Sequence, residues 1–163
     1  GVIATEILVQ KKLNIEKAII DAAYLTTMSP WMCEMSSKIV LKLLHGVKKD
    51  NKILKYLLNK NFSKEALEEV SKVCLNMNDE SIDNIAFSNY SYVVPESIAN
   101  VTTDITYWFG QNERRLLIKS AKRLSKLVPS CQIEEFNGLG HGDLVSKHAD
   151  IFIKKAKDFW DKT

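Results

Sequence analysis

From Asp104 onward the sequence alternates two kinds of segment, and this alternation constrains the fold more than any other feature. Asp104-Ile-Thr-Tyr-Trp-Phe109 is β-branched and aromatic and stops at Gly110, the pattern of a strand ending in a sharp turn. Residues 113–128 then place Leu117, Ala121, Leu124 and Val128 at helical spacing. Gln132-Ile-Glu-Glu-Phe136 reads as a second short strand. Residues 146–160 carry Ala149, Phe152, Ala156, Phe159 and Trp160 on one stripe, with Lys154, Lys155, Lys157 and Asp158 opposite. That is an amphipathic closing helix. Strands that alternate with helices pair in parallel through right-handed crossovers. The predicted class is therefore α/β.

The upstream half has a different texture. Residues 17–25 form a short apolar run that fits a buried strand. A turn-like exit over 26–30 follows, and Pro30 suits a helix's first position. Residues 31–44 are apolar-periodic, and Gly46 is the expected C-terminal stop. Residues 51–59 read as a further helix. Ser63 caps another, with Ala66, Leu67, Val70, Val73 and Cys74 at helical spacing. Residues 79–90 complete an all-helical block over 31–90. The expected organisation is a leading helix and strand in 1–30, the helical block in 31–90, and two strands with their helices in 91–163. Only six Gly and three Pro occur in 163 residues, which favours long helices.

The opening Gly1-Val-Ile-Ala-Thr-Glu-Ile-Leu reads as a helix with Ile3, Ile7 and Leu8 as its buried face. It has no residue in front of it to cap the first amides, so the natural beginning of the chain is expected elsewhere.

Charge is nearly balanced, with 23 basic and 20 acidic residues. This gives no electrostatic footprint for nucleic acid or an anionic membrane. No apolar run approaches the roughly 18 residues of a membrane span. Cys33, Cys74 and Cys131 are widely spaced and read as free thiols of a reducing, cytoplasmic compartment. No ligand-spaced set points to a metal, and nothing points to a cofactor.

In an open parallel sheet, sites form beyond the carboxyl ends of the strands. Two such loops carry chemistry here: Phe109-Gly-Gln-Asn-Glu113 and Gly140-His-Gly142. A carboxylate and an imidazole in that order are two parts of a hydrolytic triad. The imidazole takes a nucleophile's proton, and the carboxylate fixes its tautomer. Asp104 and Asp143 are the fallback acids. His45 and His148 read as structural or surface residues. The basic set Arg114, Arg115, Lys119, Lys122, Arg123 and Lys126 reads as a solvated helix face. Met28, Trp31, Met32 and Met35 read as an apolar cluster at the start of the helical block.

Tyr107-Trp-Phe-Gly-Gln-Asn-Glu113, followed by Gly138-Leu-Gly-His-Gly142 and a final helix, resembles the C-terminal part of the α/β-hydrolase superfamily. The resemblance covers the whole chain. It implies a partial α/β-hydrolase fold of about three parallel strands, with residues 31–90 as an inserted helical lid. It also implies ester-type hydrolysis of a small molecule, with His141 as base and Glu113 as acid. The family's nucleophile sits in a Gly-x-Ser-x-Gly elbow. None of the six glycines here lies two residues from a serine, so the resemblance places that serine ahead of Gly1, outside this sequence. The alternative expectation is a non-catalytic interaction module that kept the fold. In either case the strand near Ile19 would lack a neighbour. Its edge is expected to be covered by homo-oligomerisation or by an N-terminal segment.

Overall fold

The computed structural model describes residues 1–49, 64–113 and 115–161. Two compact units divide the chain: residues 1–27 with 92–163, and residues 28–91.

The first unit holds a three-stranded parallel sheet in the order β1-β2-β3. Its strands are β1 (Lys17–Asp21), β2 (Asp104–Gly110) and β3 (Gln132–Phe136). The register aligns Ala18 with Ile105 and Ile20 with Tyr107. It also aligns Tyr107 with Ile133 and Gly110 with Phe136. Side chains alternate across a pleated strand, so Ile105, Tyr107 and Phe109 share one face of β2. They form a core with Leu8 of helix α1 (Val2–Gln10) and with Ala121 and Leu124 of helix α5 (Arg115–Leu127). Trp108 lies on the opposite face. Its ring meets Phe136 and Phe152 edge-on at 5.7 and 5.4 Å, the arrangement that aromatic quadrupoles favour. Phe152 belongs to helix α7 (Ala149–Trp160), which follows the one-turn helix α6 (Asp143–Lys147). A short 3-10 turn, Glu96–Asn100, leads into β2.

The second unit is helical throughout its described residues. It comprises α2 (Pro30–Lys48), α3 (Lys64–Asn76) and α4 (Asp79–Ser91), with α2 packed on α4 and α3. Lys48 Nζ donates to Met77 O at 2.7 Å, and His45 pairs with Asp79 at 2.7 Å.

Several sequence expectations need correcting. The first strand ends at Asp21 rather than at residue 25. Ala22 turns the backbone into the left-handed region, with φ 46°. In α1 the buried residues are Thr5 and Leu8, whereas Ile3 and Ile7 are exposed. Thr5 tolerates burial because its hydroxyl donates to Gly1 O at 2.9 Å. Helix α2 continues through Gly46, since an interior glycine costs only about 1 kcal/mol and its last turn is tied to α4. Of the apolar residues expected to cluster at the start of the block, Met28 is buried, while Trp31 and Met35 are exposed and line one shallow cleft. The final helix is broken at His148, leaving α6 and α7. The helix expected at 51–59, the Ser63 cap and Arg114 lie outside the described residues.

Leu124 is fully buried between α5 and the sheet, whereas Val73 on α3 is exposed. Leu124→Ala is expected to cost about 2–5 kcal/mol of stability. Val73→Ala should stay within about 0.5 kcal/mol. Urea unfolding curves compare the two directly.

Candidate active site

The parallel register brings the carboxyl ends of the three strands to one side of the sheet. Three ionisable groups gather there. Asp21 is the last residue of β1, Glu113 follows β2, and His141 follows β3.

His141 Nδ1 lies 3.1 Å from Glu113 Oε2. The other carboxylate oxygen, Oε1, accepts the Gly110 N–H at 3.3 Å. The Glu113 side chain is 2% exposed and that of His141 61%. A buried, twice-bonded carboxylate thus holds one edge of a largely open ring. A carboxylate can only accept, so the shared proton belongs on Nδ1 and leaves Nε2 as the acceptor. That is the state a general base requires.

Backbone hydrogen bonds set this distance. Gln111 N–H donates to Phe136 O and Asn112 N–H to Leu139 O, both at 2.9 Å. Asn112 Nδ2 donates to Gly138 O, and Gly138 N–H donates to Gln111 Oε1, both at 3.0 Å. These four bonds join the loop carrying the acid to the loop carrying the base. Gly110 permits the close approach, because a Cβ there would overlap the Leu139 carbonyl. Beyond His141, Asp143 Oδ2 accepts the Gly140 N–H at 2.7 Å, and Gly142 adopts φ 75°. The Lys147 ion pair and the Gly140 amide hold the Asp143 carboxyl below the usual carboxylate range.

The fallback acids have other roles. Asp104 opens β2, at the opposite end of the strand from Glu113, and its N–H donates to Glu16 O. Asp143 shapes the histidine turn and pairs with Lys147. His45 sits in the helical unit against Asp79, and His148 precedes α7. Among the described residues, no group of three or more His, Cys, Asp and Glu could hold a metal ion. No helix among them is long and apolar enough to cross a membrane.

Sequence reasoning missed three contributors. Gln111 and Asn112 were only loop residues in the sequence. Asp21 lay inside a strand expected to run to residue 25. The strand-end rule would have found it had the strand been closed four residues earlier. Burial raises the Asp21 carboxyl above its ordinary range. The Glu113 charge adds to the rise, while His141 opposes it.

Gly110→Ala is expected to push the Leu139 carbonyl away and separate His141 from Glu113. Loss of a hydrogen-bonded carboxylate should lower the His141 titration midpoint by about one pH unit. NMR of the histidine ring protons measures it, and an unchanged midpoint contradicts this account of the loops.

No family model and no curated protein matches the sequence. Solved structures do. An α/β hydrolase from a Medee basin deep-sea metagenome library superposes with a TM-score of 0.72 at 12% identity, over 99% of this chain and 62% of its own. A carboxylesterase from the thaumarchaeon Nitrososphaera gargenis gives 0.66 at 12%, over 100% of this chain and 63% of its own. The enol-lactonase of Burkholderia xenovorans gives 0.67 at 12%, over 99% and 62%. This chain therefore spans less than two thirds of the length of the structures it matches. Three parallel strands flanked by helices, matched end to end by these structures, give the chain a partial α/β-hydrolase fold.

Proposed function

We propose that this chain supplies the base and the acid of a serine hydrolase acting on a small ester-type substrate. The observation that carries this reading is the His141–Glu113 pair at the carboxyl ends of parallel strands. His141 Nε2 takes the hydroxyl proton of the serine as it attacks the ester carbonyl. Glu113 stabilises the resulting imidazolium. The imidazolium then returns the proton to the leaving alcohol. In the second half, Nε2 takes a proton from water, which attacks the acyl-enzyme and releases the acid. The serine and the amides that stabilise the oxyanion belong to a segment ahead of Gly1.

The start of α1 supports that placement. A Cβ on Gly1 would lie 2.5 Å from Ala23 Cβ and 2.8 Å from the Asp21 carbonyl oxygen. Helix α1 thus begins against the carboxyl end of β1, on the side of the sheet where His141 and Glu113 meet. A residue just ahead of Gly1 would be delivered there. Residues 28–91 occupy the sequence position of a lid. The buried free thiols Cys33 and Cys131 suit a cytoplasmic setting; burial pushes the Cys131 thiol up to about 12.

Assay with short acyl esters tests the reading. A chain extended ahead of Gly1 by a strand and a Gly-x-Ser-x-Gly turn should hydrolyse them, and the present sequence alone should not. In the extended chain, His141→Ala and Glu113→Gln should each lower kcat by roughly 10³–10⁴-fold. Retained activity in His141→Ala sinks the assignment of the base.

The open side of β1 needs a cover as well. We infer that the segment ahead of Gly1 covers it, or a second copy where that segment is absent. Light scattering of the present sequence should then report a dimer or larger species. A monodisperse monomer at high concentration counts against this.

A further inference from the structure

We propose that Asp21 is a positioning residue of the His141–Glu113 pair, a second carboxylate whose charge favours the protonated imidazole. The inference deepens the reading of His141 as a base and rests on it.

The placement comes first. Asp21 closes β1, and its register partner on β2 is Trp108. Alternation puts it on the same sheet face as Trp108 and Gly110, and the Gly110 N–H binds Glu113. The backbone just beyond is held in a strained state. Ala22 sits at φ 46°, a region a residue with a Cβ rarely adopts. Two hydrogen bonds fix it there. The Ala22 N–H donates to Trp108 O at 2.9 Å, and the Tyr107 hydroxyl donates to Ala23 O at 2.7 Å. Both acceptor and donor come from β2, the strand that leads to the acid. The backbone that carries Asp21 is thereby fixed at the sheet end.

The electrostatics agree with that placement. Asp21 is partly buried and interacts with both Glu113 and His141. Placing a second carboxylate beside Glu113 in a partly dry site is unfavourable, and a neutral Asn or Ser would end the strand equally well. The arrangement becomes favourable when His141 is protonated, since its ring bonds Glu113 and also interacts with Asp21. Buried charge and backbone strain at one strand end are features that cluster at functional sites. The other ionisable neighbours do not supply the same charge. Tyr107 is buried and stays neutral, since burial and the Glu113 and Asp21 charges raise its hydroxyl. Tyr24 interacts with Tyr107. On the histidine side, Asp143 is already paired with Lys147.

NMR titration of the chain as it stands tests the proposal without relying on activity. The sequence has three histidines, and His141→Asn assigns the resonance. Asp21→Asn should lower the His141 midpoint by roughly half a unit to one unit. His45 and His148 should stay where they are, and Asp21→Glu should move His141 back toward the wild-type value. An unchanged His141 midpoint in Asp21→Asn, or equal shifts of all three histidines, overturns the proposal.

The wild-type protein supplies a second measurement that needs no variant. Coupling is reciprocal, so the Asp21 carboxyl carbon should show an inflection at the His141 midpoint. A single inflection in that curve overturns the proposal even if Asp21→Asn does not fold. A carboxylate with a purely structural role would move stability alone. Because its folded-state range is raised, Asp21 lowers stability as pH rises above the ordinary carboxylate value. Asp21→Asn should therefore be the more stable protein at neutral pH, with the advantage vanishing toward acid. Loss of ester hydrolysis in an extended chain would bear on the base, whereas this titration bears on Asp21.

Discussion

Burial of β2 on both faces is the constraint on which the rest of the first unit depends. Ile105, Tyr107 and Trp108 are almost wholly removed from water, and β2 pairs with β1 on one side and β3 on the other. A strand with both edges and both faces occupied cannot slip, since a one-residue shift would exchange the Tyr107 and Trp108 faces. Its fixed register carries its neighbours with it. Gly110 and Phe136 end level, with Asp21 two positions earlier opposite Trp108, and the loops beyond β2 and β3 can meet. The Tyr107 hydroxyl adds a cross-link by holding the chain just after β1.

From that platform the site is built mostly from backbone. Glu113 is oriented by the Gly110 N–H and by His141. The two loops are held by bonds from Gln111 and Asn112 rather than by packing of large side chains. Such a site tolerates no Cβ at Gly110. It also explains how an imidazole that is mostly exposed keeps a defined partner: its loop is fixed on both sides, by Asn112 before it and by Asp143 after it.

The sequence announced β2 and β3 clearly, because β-branched and aromatic residues end at glycine or a polar turn. Glu113 and His141 were legible for the same reason: each follows a strand that could be recognised. The first strand was harder. Ala22, Ala23 and Leu25 are apolar and buried, so the run looks unbroken. Yet Leu25 is held by α5, its N–H donating to Ser120 Oγ at 2.9 Å, and not by a sheet partner. A run of apolar residues reports burial but not which element covers it. Asp21 was hidden by that ambiguity. In α1 six of the nine residues are apolar, so periodicity could not say which side faces the core. The buried Thr5 was the unexpected member. Asn112 and Gln111 act through loop-to-loop bonds, which no spacing rule encodes.

The proposed role of His141 as a base requires that Glu113 hold the ring proton on Nδ1, leaving Nε2 unprotonated. The ¹⁵N resonances of the His141 ring, recorded above its titration midpoint, test this most directly. The account predicts a neutral ring protonated at Nδ1, with Nε2 showing the resonance of an unprotonated acceptor. A ring protonated at Nε2, or an even mixture of the two tautomers, would contradict it.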